Sequence, residues 1–263
     1  MIQNNLQFSK YKQIKDEKVA MAVLPWGATE AHNYHLPYGT DTILAEYVAV
    51  KAAQLANGTL ADSTPGSGSI TVLPSVAYGV NTGQMEVKLC MNLNPSTQMA
   101  ILCDILEVLR VNGVSRLVIL NAHGGNLFQP IIRELSLKYP EILVASVNWW
   151  VACNPSEFFN EPGDHAGELE TACMMAIRPD LVLPLSEAGP GRENRLKARG
   201  FREKWAWTPR RWVLTTQDSG VGNPSQANAQ NGARFLDASI GKIAEFFYDF
   251  ASAKDEKSLY ETN

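Results

Sequence analysis

Two carboxylates and two imidazoles fall close together near the start of the chain. Glu30, His32, His35 and Asp41 lie within twelve positions of one another. Carboxylate oxygens and imidazole nitrogens together form the ligand set of zinc, manganese or iron, whereas calcium is bound by oxygen alone and thiolate clusters need cysteine. The stretch therefore predicts a centre for one of these divalent metals.

The position of this stretch favours a ligand-binding loop. It follows an apolar run, Val19 to Leu24, that is typical of a buried strand. Pro25, Gly27, Pro37 and Gly39 then argue against a regular helix or a central strand. A loop that leaves the end of a core strand is where open α/β sheets bind their ligands.

The spacing within the loop is compatible with a shared centre. Glu30 and His32 are two residues apart, so in an extended segment both side chains point to the same side. Asp41 comes at the start of a predicted helix, where a carboxylate is favoured. An ordinary helix cap is the alternative interpretation of Asp41 taken alone.

The two remaining histidines of the sequence lie in similar places. His123 is part of residues 121–126 (NAHGGN), directly after an apolar strand, and His165 begins a predicted helix that also carries Glu168 and Glu170. An acidic first turn is common in helices without any function, but it does not explain a histidine there, since a cation is disfavoured at that end. All four histidines follow strands or begin a helix, which predicts one shared site.

Alternating strands and helices define the class of fold. Apolar runs predict strands at 19–24, 70–76, 117–120 and 142–147. Helical patterns fall at 40–56, at 94–111, up to about 137, at 165–177 and at 224–247, with a surface loop at 57–69. This alternation predicts βαβ units and one mostly parallel sheet with helices on both faces. No internal repeat or domain boundary is evident, so residues 1–263 are expected to form a single domain.

Composition excludes several classes of function. The 263 residues are 45% hydrophobic and 19% charged, with a net charge of −4 and no basic block, which argues against a nucleic-acid partner. The N-terminus lacks the apolar core of a secretory signal, and the longest apolar run is too short to span a bilayer. The four cysteines show no paired spacing. We therefore expect a cytoplasmic protein with reduced thiols and no membrane contact.

Residues 186–223 form an irregular segment in which arginine and tryptophan alternate. Such interleaving could suggest stacking on nucleic acid bases. Glutamates in the same segment and the acidic balance of the chain argue against it. A cover over the site or a contact between subunits is the expected role.

The motifs resemble those of the creatininase (creatinine amidohydrolase) family. The resemblance rests on residues 30–41, on residues 121–126 and on residues 165–171 (HAGELET), with a further match around residues 222–232. It runs from about residue 18 to about residue 248 in the order of the family. It implies a three-layer αβα sandwich and a metal-dependent amidohydrolase, usually hexameric, with a two-metal site.

The resemblance also implies roles for individual residues. Glu30, Asp41 and His123 would hold the first metal, and His32 would hold the second with Asp41 as a bridge. His165 matches the catalytic histidine of the family, and Glu170 matches the acid beside it.

The chain departs from the creatinine-cleaving members at three places. Their loop reads His-Tyr-Glu, and its glutamate completes the second metal site, whereas this chain has Gly124 and Gly125. Those enzymes have an apolar residue where this chain has Glu168. We infer a ligand swap in which Glu168 supplies the missing carboxylate. Glu161 stands about where those enzymes carry a tryptophan over creatinine, which argues against creatinine itself as the substrate.

These features predict a reaction in which a metal-activated water attacks the carbonyl of a small cyclic amide or formamide, with His165 and Glu170 as catalytic groups. One or two divalent metals are expected per subunit, zinc first, with manganese and iron also compatible. The expected partners are a small-molecule substrate and further copies of the chain in a homohexamer. Residues expected to contact substrate are Asn81, Asn126, Trp149, Trp150 and Glu161, although core packing is equally compatible with one of the two tryptophans.

The sequence is also compatible with two other functions. The same chemistry could open a cyclic ketone or diketone such as an oxidised inositol, for which a small polar cleft with few aromatic residues is expected. Alternatively, the chain could be a non-catalytic metal-binding oligomer, which predicts a degraded ligand set.

Overall fold

The computed structural model describes residues 5–64, 66 and 68–261. The predicted domain of 1–263 thus includes residues outside the described part: 1–4, 65, 67 and 262–263. Two of these, residues 65 and 67, belong to the predicted loop 57–69. Four strands form the sheet: β1 Val19–Trp26, β2 Ser69–Val72, β3 Arg116–Asn121 and β4 Leu143–Asn148. All neighbours are parallel, and the strand order is β2-β1-β3-β4.

The α-helices of the described residues connect and cover these strands. They are α1 Tyr11–Ile14, α2 Thr40–Ser63, α3 Pro95–Val111, α4 Phe128–Lys138, α5 Glu168–Ile177, α6 Arg199–Arg202, α7 Trp212–Thr215 and α8 Ala229–Ser252. Short 3-10 turns lie between them, among them Thr82–Gln84 after β2 and Trp149–Val151 after β4.

The sheet separates two hydrophobic cores, which makes the molecule an αβα sandwich. Alternate residues of a strand point to opposite faces. Met21 and Val23 pack with α2, α5 and α8, whereas Ala22 and Leu24 pack with α3 and α4. Because both faces of β1 and β3 are buried, these central strands are almost wholly apolar, as in other parallel sheets, whereas the edge strand β4 is only partly buried. The predicted fold class is confirmed.

The predicted end of the second helix was wrong. The sequence favoured a loop from residue 57, but α2 continues to Ser63. Leu60 is buried in the core, and the Asn57 side chain accepts from the Ile70 N–H at 2.7 Å and donates to the Ile70 carbonyl at 2.8 Å. Tertiary contacts therefore extend the helix through Asn57 and Gly58, two residues that favour turns.

Strand β1 also runs further than the apolar pattern predicts, through Pro25 to Trp26. The Pro25 carbonyl accepts from the Val76 N–H at 3.0 Å, so the missing N–H of the proline faces the side where β2 has already ended at Val72. A proline is tolerated there because no ladder bond is lost.

Two helices begin later than predicted. Helix α5 begins at Glu168 rather than at residue 165, because His165 pairs with Val221 through two backbone hydrogen bonds and Ala166 has a φ of 52°. Helix α8 begins at Ala229 rather than at residue 224. The Asn228 side chain caps it by accepting from the Asn231 N–H.

Within the described part of the chain, no helix combines the length and the apolar character that crossing a bilayer requires.

Candidate metal centre

The carboxyl ends of the central strands meet the start of α5 at one point of the molecule. Glu30, His32 and Asp41 come from the segment between β1 and α2, His123 follows β3, and His165 and Glu170 flank the first turn of α5. Three groups have ligand atoms that all lie within 4.8 Å of one another: Glu30, Asp41 and His123; His32, Asp41 and Glu170; and Glu30, His32 and His165. The structure thus brings together residues that are up to 140 positions apart.

Asp41 lies between two histidines. Its Oδ1 is 3.0 Å from Nε2 of His32, and its Oδ2 is 3.2 Å from Nδ1 of His123. Nδ1 of His123 is also 2.7 Å from Oε1 of Glu30. A carboxylate that presents one oxygen to each of two neighbouring ligand groups has the geometry needed to bridge two ions.

Backbone carbonyls determine the tautomers of the three site histidines. A carbonyl can only accept, so the ring nitrogen beside it must carry the hydrogen. The contacts are Nδ1 of His32 to the Glu30 carbonyl at 3.0 Å, Nε2 of His123 to the Val80 carbonyl at 3.1 Å, and Nε2 of His165 to the Ala31 carbonyl at 2.8 Å. In each neutral ring the other nitrogen then presents a lone pair to the centre, which is the state that a metal ligand needs.

The environment of two buried carboxylate oxygens indicates that these residues fit a metal. Glu30 and Asp41 are 0% and 1% exposed, and Nδ1 of His123 faces both Oε1 of Glu30 and Oδ2 of Asp41. When His123 is neutral, that nitrogen carries a lone pair, and neither oxygen has a hydrogen-bond donor among the described residues. Unpaired buried charge is costly. A divalent cation between these oxygens and the imidazole lone pairs would remove that cost, so the donor set fits the ion.

The electrostatics of the protein without metal lead to the same conclusion. Burial lowers the pKa of His32, but the Asp41 carboxylate and, further off, Glu170 and Glu30 raise it to about 10. Burial likewise lowers the pKa of His123, and the charges of Glu30 and Asp41 raise it well above the ordinary value. Burial raises the pKa of Asp41, yet the two histidines lower it below its usual range. The field that stabilises these protons would stabilise a metal ion in their place.

The structure places Glu168 outside this cluster. Its carboxylate is buried, and Oε2 accepts from the Glu161 backbone N–H at 2.9 Å. Glu168 belongs to none of the three ligand groups of the described residues, whereas Glu170 joins His32 and Asp41. Two positions on a helix differ by roughly 200° in direction, so only one of these glutamates can face the centre. The geometry does not support the expected ligand swap to Glu168.

Gly125 explains why the carboxylate cannot come from the loop after β3. A Cβ added there would lie 2.3 Å from the Val80 carbonyl oxygen and 2.4 Å from Nε2 of His123. The backbone therefore leaves no room for a side chain at the position where the creatinine-cleaving members carry their glutamate.

A cavity of about 510 Å³ opens onto the cluster, and Glu30, Asp41, His123 and His165 form part of its lining. Asn81 and Trp150, which the sequence predicted as substrate contacts, also line it. Oδ1 of Asn81 is buried and has no hydrogen-bond partner among the described residues, so it is free to accept from a substrate N–H.

Three other predicted substrate contacts lie elsewhere. Trp149 is 1% exposed and packs on Phe235 at 5.8 Å, so it belongs to the core. The Asn126 amide bonds the Val80 N–H, Gln98 and Asn121, which commits it to holding the loop after β3. Glu161 is exposed and does not line the cavity. None of the three is placed to contact a substrate in this cavity.

His35, one of the four candidate ligands between residues 30 and 41, is not a member of the ligand groups. Its Nε2 is 2.8 Å from Oγ1 of Thr171, and burial, followed by the nearby His32, lowers its pKa to about 4. It is therefore a neutral residue that joins the loop to α5.

The irregular segment 186–223, expected from the sequence as a cover over the site or a subunit contact, contributes individual residues to the cavity that the sequence did not single out. Trp207, Arg210 and Trp212 line the cavity. The Trp212 ring meets His165 edge-on at 5.3 Å, and the Arg210 guanidinium lies 4.8 Å from the Trp212 ring while it pairs with Asp164 at 2.7 Å. The interleaved arginines and tryptophans were the feature of the sequence that could have identified these residues, and part of that segment forms a wall of the cavity.

The fold and the cluster together define a three-layer α/β protein with a centre suited to divalent metal ions. The family model described as Creatininase: Creatinine amidohydrolase matches residues 4–247, and the chain belongs to this family. Hydrolysis of amide bonds is the activity of the family, so the chain is a metal-dependent amidohydrolase.

Characterised relatives with different substrates are similar to most of the chain. It is 29% identical over 247 residues to the mycofactocin precursor peptide peptidase of Mycolicibacterium smegmatis, with 86% of this chain and 84% of that protein covered. It is 26% identical over 182 residues to the creatinine amidohydrolase of Pseudomonas putida, with 61% and 65% covered.

Solved structures share the fold. A protein of Bacteroides fragilis with the provisional name creatinine amidohydrolase is 42% identical, with a TM-score of 0.90 and coverage of 99% of this chain and 100% of that chain. A creatininase mutant described as Zn–Zn type is 20% identical, with a TM-score of 0.72 and coverage of 94% and 97%. A manganese creatininase is also 20% identical, with a TM-score of 0.73 and coverage of 93% and 97%.

Proposed function

We propose that this protein hydrolyses a small cyclic amide or a formamide at a two-metal centre. The observation that carries this proposal is the position of the cavity, which opens directly onto Glu30, Asp41, His123 and His165. In the proposed centre, Glu30, Asp41 and His123 hold one ion. His32, Asp41 and Glu170 would hold the other. Glu170, which the sequence predicted as a catalytic group, then takes the ligand role first expected for Glu168. Zinc, manganese and iron all suit these ligands.

A divalent cation bound there supplies a water of lowered pKa and polarises a carbonyl. His165 is the residue of the chain best placed to move a proton, because its Nε2–H is held by the Ala31 carbonyl and its Nδ1, 3.8 Å from Oε1 of Glu30, faces the centre. The edge of Trp212 packs on the same ring and maintains its orientation. Oδ1 of Asn81 would orient the substrate by accepting from its amide N–H.

A peptide amide is a second candidate substrate. A cavity of about 510 Å³ exceeds what a five-membered ring occupies, and Trp207 at its wall is 79% exposed. Several of the similar proteins are peptide peptidases. These features favour a substrate that extends from the metal centre across Trp207.

The other two hypotheses find less support. The opening of a cyclic ketone was expected to need few aromatic residues, but three tryptophans line the cavity. A non-catalytic oligomer was expected to have a degraded ligand set, but three candidate ligand groups are present, two of them fully buried.

The test replaces His165 by alanine. We expect kcat to fall by about 10²- to 10⁴-fold, the usual contribution of a general acid or base, while the metal content stays at the wild-type level. Creatinine, cyclic amides, N-formyl compounds and short peptides are the substrates to assay, with protein stripped of metal and reloaded with zinc, manganese or iron. Wild-type turnover by the His165→Ala protein, or equal turnover with and without metal, would contradict the proposal.

A further inference from the structure

A buried glutamine contacts the carboxylate that faces both His123 and His165. Gln84 ends the 3-10 turn Thr82–Gln84 and is 6% exposed. Its Nε2 donates to Oε2 of Glu30. The other oxygen of that carboxylate, Oε1, faces Nδ1 of His123 at 2.7 Å and has no hydrogen-bond donor among the described residues when His123 is neutral, as a metal ligand must be. The two oxygens of Glu30 are therefore in different environments.

A cysteine holds the other end of this glutamine. The Cys90 S–H donates to Oε1 of Gln84 at 3.3 Å, and Sγ accepts from the Ala31 N–H at 3.1 Å. Burial raises the pKa of the Cys90 thiol, so the group keeps the proton that it donates. Hydrogen bonds thus connect Ala31, Cys90, Gln84 and Glu30 in that order, and they begin and end on adjacent residues of the loop after β1.

The donors and acceptors available in these residues determine the direction of each hydrogen bond from Ala31 to Glu30. A glutamine amide can present either its oxygen or its NH₂ to a neighbour. If the amide of Gln84 were reversed, its oxygen would face the Glu30 carboxylate, and its NH₂ would face a thiol whose proton could no longer be accepted. The S–H of Cys90 therefore favours the single orientation in which Gln84 donates to Glu30.

We propose that Gln84 restricts Glu30 to binding metal through Oε1 alone, and that Cys90 maintains the amide orientation that makes this possible. Both are positioning residues, and the inference rests on the metal centre proposed above. A ligand whose second oxygen is already occupied leaves room at the ion for water or substrate, which a catalytic site needs. Outer hydrogen-bond partners of this kind commonly change metal affinity by about 10- to 100-fold.

The test compares variants of similar shape that differ in hydrogen bonding. Gln84→Met removes the donor, Cys90→Ser keeps a donor to the amide, and Cys90→Ala removes it. Asn57→Leu is the control for loss of a side-chain amide away from the centre, because the Asn57 side chain bonds the Ile70 backbone at 2.7 and 2.8 Å and Asn57 is not a member of the ligand groups. Zinc affinity is measured by competition with a chromophoric chelator. The visible spectrum of the cobalt-substituted protein reports coordination, and circular dichroism reports folding.

We expect Gln84→Met to weaken zinc binding by about 10- to 100-fold and to change the cobalt spectrum, since Oε2 of Glu30 is then free to coordinate. Cys90→Ser should resemble wild type, and Cys90→Ala should change in the same direction as Gln84→Met. Asn57→Leu should resemble wild type in both measurements.

Two results would overturn the inference. One is a wild-type zinc affinity and cobalt spectrum in folded Gln84→Met, and the other is an equal loss in Asn57→Leu, which would indicate general loosening. Glu30→Gln separates this failure from failure of the metal centre: if it loses zinc while Gln84→Met does not, only the positioning role is lost. Wild-type zinc binding by Glu30→Gln would refute the centre itself.

Discussion

At the scale of single residues, the centre depends on which atoms of a side chain are already bonded. Each site histidine donates one N–H to a backbone carbonyl, so in the neutral ring that binds metal the other nitrogen presents its lone pair to the centre. Asp41 presents one oxygen to His32 and the other to His123. Such prior hydrogen bonding removes alternative orientations before a metal binds, which is the usual function of outer-shell contacts.

Glu170 and Glu168 give the sharpest residue-level prediction. Glu170→Gln should lower the metal content from about two ions per subunit to about one, because glutamine can still accept from the Ala166 N–H but lacks the charge. Glu168→Gln, the matched control, should keep both ions. Elemental analysis of protein purified without chelator measures this. Loss of metal in Glu168→Gln with full retention in Glu170→Gln would instead support the first expectation, that Glu168 is the metal ligand.

At the scale of elements, loops at the carboxyl ends of parallel strands converge because adjacent strands point the same way. The loop after β3 is held tightly by the Asn126 side chain, which bonds the Val80 N–H at 3.0 Å and Asn121 at 3.0 Å. This packing positions His123, and it also excludes a side chain at Gly125. The second carboxylate therefore comes from a helix instead of this loop.

Two adjacent glycines of this loop provide a matched pair of variants. Gly125→Ala should lower the free energy of unfolding by about 1–3 kcal/mol, the usual cost of overpacking, because its Cβ would meet the Val80 carbonyl and the His123 ring. It should also reduce metal content by displacing His123. Gly124→Ala has open space around the new Cβ and should be close to wild type in both respects. Denaturant unfolding of the metal-free proteins measures the difference, and equal stabilities would show that the loop can relax around the added methyl group.

At the scale of the whole molecule, two cores on either side of the sheet support a centre that holds buried charge. Three carboxylates and three histidines meet there, and their mutual attraction in the metal-free protein depends on protons. Metal binding must release those protons, so it is coupled to pH. Assembly into a homohexamer, the single-domain organisation and the cytoplasmic location stay predictions.

The pH dependence of stability follows from these pKa shifts. His32 has a folded pKa of about 10, above its ordinary value of 6.5. Its contribution to the stability of the metal-free protein is therefore complete below about pH 6.5 and is lost as pH rises towards about 10. Zinc affinity should increase over the same range, since fewer protons compete. The difference in melting temperature between the zinc-loaded and metal-free proteins should widen with pH, as thermal denaturation would show, whereas a constant difference would contradict the proton-coupled site.

The sequence by itself determined the class of fold, most of the candidate ligands and the loops that carry them. Apolar runs too short for anything but buried strands, separated by helical patterns, require a parallel sheet covered on both faces. Histidines and carboxylates at the ends of those strands are costly unless they share a ligand. Both inferences depend on local patterns, which a linear sequence records directly.

The tertiary structure alone decided which side chains reach the centre. Glu168 and Glu170 are nearly equivalent in sequence, and only the rotation of α5 against the sheet directs one of them to His32. Gln84 and Glu30 are 54 residues apart, and His165 and the Ala31 carbonyl are 134 apart. The helix extension through Asn57 and the commitment of Asn126 to its own loop have the same origin. Each depends on contacts between distant segments, whose geometry is set by the packing of both cores against the sheet and not by the residues adjacent in the chain.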